Sequence, residues 1–424
     1  MTLANMSVIN IARYFVSFSV FMFLALSVSF KGSYGYSGTL ILLSYLFLLS
    51  REVRQQIALS RMEKGLVIVL SMYLVSMILE VVCYSLPIKE IDSESKILLF
   101  LPLIFLLNAV KINPKVIVFG LAVGCLGLFS LAVYEKHILG LDRVGSFINA
   151  IQLGNIAMTF GLLSCVFSFC MSRSNKRYNV IRWLLIVVGL GAVYGSLTTL
   201  TRGGLVFLPI IILIVSIYFR REMKRHWQKV VVGGVVIATG ITALIVNSSI
   251  EKRIESAVGN VGAYFENGKA TTSPGVRLEL WKAALLIAKD NPVFGVGENQ
   301  YLDLKKELIE KGELAPSILR YGHSHNAYFY ALVRRGAAGL LFLLLLLSFP
   351  VIIAHRELRS SENRKRASSV GLMVFGLFFA FANLTQVLFA HNSGMIMYTG
   401  LLILLVNFNL AHQKANEEAL SSQG

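Results

Sequence analysis

Charge is scarce in this chain, and acidic charge scarcer still: Asp, Glu, Lys and Arg make up 15% of the 424 residues, with 23 acidic against 40 basic. A soluble domain carries about 25% charged residues. So little charge cannot cover a water-soluble surface of this size, which excludes an ordinary soluble enzyme. Proline is also rare, at eight residues. With no Pro-rich linker, low-complexity tract, internal repeat or end segment of soluble-domain size, a string of tethered domains is excluded. Cysteine is nearly absent: Cys83, Cys125, Cys165 and Cys170 all fall in apolar runs, with no C-x-x-C and no histidine cluster beside them. A disulfide framework is therefore excluded, and the four read as small core residues. No P-loop is present, so ATP is not demanded.

Apolar sequence fills the space. Hydrophobic residues make up 55% and the mean hydropathy is +0.68, the composition of an all-α polytopic membrane protein. Stretches of about 17 to 25 apolar residues give about twelve expected spans, near 9–30, 33–50, 65–86, 97–110, 115–134, 146–171, 180–200, 203–219, 229–247, 337–354, 368–389 and 392–411. The expected division is nine transmembrane helices in 1–249, one long external segment with surface helices in 250–336, and three further helices with a tail in 337–424. Arg13 and Tyr14 interrupt the first run and no A-x-A site follows it, so it reads as an uncleaved span.

Basic residues orient the chain. Lys and Arg gather in alternate loops, around 51–64, 111–115, 173–182, 220–229 and 356–366, whereas the short loops between hold Lys31, Lys89, Lys96, Lys136, Arg143 and Arg202. Basic loops stay cytoplasmic, which predicts cytoplasmic termini and an external 250–336. The net charge of +17 is then mainly a topology signal, with attraction to anionic membrane lipid second. No nucleic-acid partner is needed to explain it.

Three polar clusters fall on the expected external face. In "SLTTLTRGGLVFLP", Arg202 sits between two spans. It reads either as an arginine snorkelling to headgroups or, with Gly203, Gly204 and three nearby threonines, as a bidentate phosphate ligand. In "TTSPGVRLELWKAALLIAKDNPVFGVG", Leu278, Trp281, Leu285 and Ala288 recur at helical spacing, predicting an amphipathic helix on the membrane surface. Ser273 and Pro274 mark its start, and Asp290 to Pro292 its stop. Arg277 in the first turn gains nothing from the helix dipole; it is either simply solvated or beside an anion. The following "GVG" is too weak for a dinucleotide site.

The third cluster, "HSHNAYFYALVRRGAAG", leads into a strongly apolar run. A helix from about Ser324 would place His325, Phe329, Leu332, Gly336 and Gly339 on one face, with His325 at an anion-favouring N-terminus beside His323 and Asn326. A lone histidine is usually a structural hydrogen-bonder, but a neutral imidazole at this position can take a proton from a hydroxyl. Glu90-x-Asp92 is the one carboxylate pair spaced to hold a divalent metal. With Lys89 and Lys96 alongside, it reads more simply as a solvated acidic loop, so no metal is expected.

"HNAYFYALVRRGAAG", with nine residues between His325-Asn326 and Gly336-x-x-Gly339, resembles the signature of bacterial O-antigen ligases. "TLTRGG" at Arg202, "DRVGSF" at Asp142 to Phe147 and "GVRLELW" at Arg277 are similar to accompanying motifs of the same ligase/polymerase superfamily, in the same order. The resemblance covers about 142–340. It implies a metal-independent, cofactor-free, inverting glycosyltransferase of the bacterial inner membrane whose active site faces the periplasm. The implied donor is an O-antigen chain on undecaprenyl diphosphate, and the implied acceptor is the lipid A-core oligosaccharide. On that reading His325, Arg202 and Arg277 are catalytic and Arg143, His323 and Asn326 bind substrate. O-antigen polymerases and protein-glycosylating relatives share the donor. A lipid-linked oligosaccharide flippase is the alternative outside the enzyme class, but it should place polar groups near mid-membrane and show two related halves.

Overall fold

The computed structural model describes residues 7–26, 30–145, 147–171, 176–219, 264 and 270–421, with the side chains at 202–207, 357 and 414–421 outside that description. The main helices are α1 (Val8–Leu26), α2 (Ser33–Ser44), α3 (Arg61–Cys83), α4 (Ile97–Val110), α5 (Lys115–Val133), α6 (Ala150–Phe167) and α7 (Lys176–Thr198). They continue with α8 (Arg202–Tyr218), α9 (Ser273–Asp290), α10 (Gly297–Glu310), α11 (Ala327–Ala354), α12 (Asn363–Ala382) and α13 (Asn392–Ser421). No strand occurs among the described residues. In a bilayer this follows from the backbone: a helix satisfies its N–H and C=O groups within one segment.

Nine segments among the described residues are long and apolar enough to cross a membrane. Each corresponds to an expected span. Two more expected spans are present as shorter apolar helices, Ser33–Leu49 and Leu208–Tyr218. The expected span 229–247 lies outside the described residues, as does the basic loop 220–229.

Small residues bring the helices together, as lipid-exposed bundles require. A Cβ on Gly124 of α5 would stand 2.3 Å from the Leu24 carbonyl oxygen of α1, and one on Gly161 of α6 would stand 2.6 Å from the Gly189 oxygen of α7. Helices α6 and α13 are the most enclosed spans. Tyr398 of α13 packs its ring against Phe375, Phe379 and Phe389 with centroids 4.9 to 5.2 Å apart. The cysteines are unpaired, and Cys83 differs from the core reading because it sits exposed at the end of α3.

Two expectations about the polar segments need correction. Helix α9 starts at Ser273, capped by the Thr272 hydroxyl on Gly275 N–H, but its buried face is Val276, Leu280, Ala283, Ala284 and Ile287. Of the predicted stripe only Ala288 is buried, and Leu285 is 49% exposed. The reason is a protein partner: Val276, Leu280 and Ala283 pack on Leu314 and Ile318, and α9 lies against α11.

The second correction concerns α11, which starts at Ala327 and is broken at Gly336 (φ 64°, ψ −162°). His325 therefore precedes the helix, and the predicted continuous face from His325 to Gly339 does not exist. The loop 292–296 crosses the break. Ala337 and Ala338 donate their N–H groups to the carbonyls of Pro292 (2.7 Å) and Val293 (3.2 Å), and Val296 donates to Val333 (2.9 Å). These bonds take up backbone groups that the break frees. A Cβ on Gly336 would meet the Val293 carbonyl at 2.2 Å, and one on Gly295 (φ 74°) would meet the Arg334 carbonyl carbon at 2.4 Å. Gly295 of "GVG" and Gly336 of "GAAG" thus serve one backbone crossing.

Candidate functional site

The turn 323–326 is built before α11 begins. Asn326 caps the helix, its side-chain oxygen accepting from the N–H groups of Tyr328 (2.9 Å) and Phe329 (3.2 Å). Its own backbone is pinned by the Ser324 hydroxyl (2.7 Å), and Ala327 N–H donates to the Asn383 carbonyl (2.9 Å). Trp281 of α9 donates its indole N–H to the Ser324 carbonyl (3.1 Å) and packs on Phe329. Between these anchors His325 is held at φ 52°, a left-handed conformation costing a non-glycine residue about 1–2 kcal/mol. Its N–H donates to His323 Nδ1 at 3.2 Å.

The His325 ring faces the connection between α12 and α13, with Nδ1 2.9 Å from Gln386 Oε1. A carbonyl oxygen can only accept, so Nδ1 carries the proton and Nε2 keeps its lone pair. Burial, followed by the Gln386 hydrogen bond acting in the opposite sense and the positive charge of nearby Arg277, leaves the His325 pKa below the ordinary imidazole value. His323 packs edge-on to His325, centroids 4.4 Å apart. Burial, with His325, His391 and Lys305 around it, pushes the His323 pKa down to about 4. Burial and His325 also lower His391. At neutral pH this is a cluster of neutral imidazoles beside an arginine.

Of the predicted site residues, His323, His325, Asn326 and Arg277 are brought together. Arg277 is the fifth residue of α9, one helix turn before Trp281. Arg143 lies at the same end of the bundle, its Nε donating to the Thr199 carbonyl at 2.8 Å. Thr199 and Thr201 share a hydroxyl hydrogen bond of 2.7 Å, and Thr201 donates to Ala150 at the start of α6. Arg202 is the first residue of α8, directly after this threonine turn; its side chain is outside the described set. Gln152 of α6 reaches the Leu388 carbonyl at 3.5 Å, which ties the threonine turn to the connection carrying Gln386. Asp92 pairs with Lys96 at the surface (2.6 Å). Among the described residues no group of three His, Cys, Asp or Glu is placed to hold a metal ion.

Beneath the histidine turn lies an ionic cluster that sequence spacing could not have found. Arg334 of α11 grips Glu80 of α3 through Nε (2.6 Å) and Nη2 (3.1 Å), and its Nε is 3.0 Å from Glu298 of α10. Arg335 donates to Glu94 at 2.7 Å and has its Nε 3.2 Å from Glu80. Tyr73 donates to Glu94 at 2.9 Å, and Tyr330 donates to Glu298. All five charged side chains are nearly inaccessible. Their partners are more than 200 positions apart for the Arg334–Glu80 and Arg335–Glu94 pairs, so no local motif announces them. Gln386 and His391 were missed as well. The available signal was His391-Asn392, which opens the last span with the dipeptide found at 325–326.

Residues 186–344 match the family model described as O-antigen ligase. That segment includes most of α7, then α8 to α10, the histidine turn and the break in α11. An uncharacterized protein of Haemophilus influenzae is 27% identical over 376 residues, covering 88% of this chain and 93% of the relative. The match over residues 186–344 makes that part of the chain similar to the O-antigen ligase family and supports membership of the O-antigen ligase/polymerase superfamily.

Proposed function

We propose that this protein is an O-antigen ligase of the bacterial inner membrane, transferring O-antigen polysaccharide from undecaprenyl diphosphate to the lipid A-core oligosaccharide on the periplasmic side. The observation that carries the reading is the His325–Gln386 contact, which leaves Nε2 as an acceptor on a half-buried neutral ring close to the Arg277 charge. Nε2 takes the proton of the acceptor hydroxyl as that oxygen attacks the anomeric carbon of the donor sugar. The bond from that carbon to the diphosphate oxygen breaks, the electron pair leaves with undecaprenyl diphosphate, and configuration inverts in the single displacement.

Arg277 and Arg202 neutralise the leaving diphosphate, Arg202 from the first position of a helix, where backbone N–H groups also favour an anion. This electrostatic contribution is the largest expected one. Arg143, His323 and Asn326 shape the substrate site around it, Asn326 by fixing the turn. The two arginines supply the counter-charge, so the reaction runs without a divalent metal. Orientation rests on the basic loops: an alkaline phosphatase fusion at position 268 should be active and one at 362 inactive.

Gene deletion followed by a lipopolysaccharide gel tests the activity. A ligase loses the ladder while long lipid-linked chains accumulate. Lipopolysaccharide carrying a single repeat would instead assign the chain as a polymerase.

A further inference from the structure

The end of the bundle opposite the histidine turn carries two adjoining cavities, of about 330 and 370 Å³, that share Lys115, Val118, Met171 and Tyr178. Lys115 opens α5, Arg177 stands in the first turn of α7, and Arg364 stands in the first turn of α12. All three cations are exposed and line these cavities from separate helices. Among the described residues no Asp or Glu lines either cavity, and neither Lys115 nor Arg364 appears in an ion pair. Lys115 Nζ instead lies 6.0 Å over the Tyr178 ring.

Away from these cations the lining is mostly apolar: Val118, Phe119, Cys170, Ile181 and Phe408. A polar group stands among them, because His412 lines the cavity with a buried Nε2 that has no hydrogen-bond partner. Cations at a rim and an apolar lining beside them form the complement of one amphiphile, with phosphate at the headgroup level and acyl chain beneath it. The rim belongs to the basic-loop end of the spans, the cytoplasmic leaflet side by the charge rule, where anionic lipids concentrate. We infer that this pair of cavities is a binding site for an anionic phospholipid, its phosphate held by Lys115, Arg177 and Arg364 and its acyl chain entering between α5 and α7. The inference does not depend on the ligase reading.

The test uses the full-length protein in detergent, with retention of added phosphatidylglycerol or phosphatidylethanolamine read by native mass spectrometry. Phosphatidylglycerol should be retained about tenfold better than phosphatidylethanolamine. The combined variant Lys115→Gln, Arg177→Gln and Arg364→Gln should lose about tenfold or more of that retention, since each cation near a headgroup contributes severalfold. A charge-matched control, Arg54→Gln with Arg61→Gln and Arg356→Gln, should retain the lipid like wild type. If the triple variant does not fold, Arg364→Gln alone should weaken retention severalfold. Equal retention of the two lipids, undiminished retention in the cavity variants, or equal loss in the control would each overturn the proposal. So would displacement of phosphatidylglycerol by millimolar inorganic phosphate without any preference for the lipid.

Discussion

His325 Nδ1 lies 2.9 Å from Gln386 Oε1, joining the turn before α11 to the connection before α13 and fixing which imidazole nitrogen is free. Because burial is the leading influence on the His325 pKa and lowers it, the neutral base persists to lower pH than an ordinary histidine. Turnover should rise with pH through an inflection below about 6.5 and stay flat above it. Gln386→Glu places a negative charge against Nδ1, favours the imidazolium and should move the inflection upward. Gln386→Leu removes the orienting acceptor and should slow turnover roughly tenfold with donor affinity little changed. An inflection that ignores Gln386→Glu would separate the pH dependence from His325.

Buried histidines also predict how stability responds to acid. His323 titrates at about 4 in the folded protein, whereas the unfolded chain takes up that proton near 6.5. Between those values the unfolded state binds more protons, so this contribution to stability is intact above about 6.5 and is lost as pH falls toward 4. Melting temperature of the solubilised protein, followed from pH 7.5 to 4.5, should fall, and His323→Gln should flatten part of the decline. An unchanged slope in His323→Gln would show that other groups carry it.

Arginine at 202 and 277 is proposed to grip a diphosphate through two parallel hydrogen bonds. Lysine keeps the charge but cannot form the fork. Arg202→Lys and Arg277→Lys should therefore lose nearly as much activity as the alanine variants, while Arg143→Ala, whose Nε is engaged by the Thr199 carbonyl, should lose less. Full rescue by lysine would favour a general charge effect or snorkelling.

Gly336→Ala should be severe. Its φ of 64° disfavours any side chain, and the Cβ would enter the Val293 carbonyl at 2.2 Å. The backbone strain alone is about 1–3 kcal/mol, and the crossing loop cannot retreat without giving up its bonds to Ala337 and Ala338. Gly339→Ala would bring its Cβ 2.1 Å from the Arg335 Cβ, which moves only with the backbone, so it should also destabilise, but less than Gly336→Ala because no left-handed φ adds to the clash. Thermal melting of the two variants checks the order.

Glu80→Gln removes the carboxylate that both Arg334 and Arg335 share, leaving each arginine one carboxylate, Glu298 for Arg334 and Glu94 for Arg335. Losing the shared acceptor breaks a buried hydrogen-bonded network, so the variant should melt below wild type. Asp92→Asn, in the exposed pair with Lys96, should change stability by less than about 1 kcal/mol.

Much of this fold could be read along the chain, because a span of about 20 apolar residues signals itself locally. The signal fails where membrane and protein interior look alike. In α9 apolar residues lie on more than one face, and the face that packs on Leu314 and Ile318 could not be told from Leu278, Trp281 and Leu285 without knowing the partner. The His-Asn turn was legible in its residue types, since two histidines before an apolar run are costly without a role. Its detail was not: whether His325 lies inside or before the helix depends on Asn326 acting as the cap. Gln386 and the carboxylates on Arg334 and Arg335 come from other spans, and no spacing rule reaches across them.

The most direct test of the central claim is the rate of glycan transfer by purified His325→Gln, measured with purified donor and acceptor alongside donor affinity. Glutamine can keep a hydrogen bond at 325 but cannot accept the proton. The account predicts turnover lowered about 100-fold or more, roughly 2.7 kcal/mol in the barrier, with donor affinity near wild type. Turnover near the wild-type rate would contradict it.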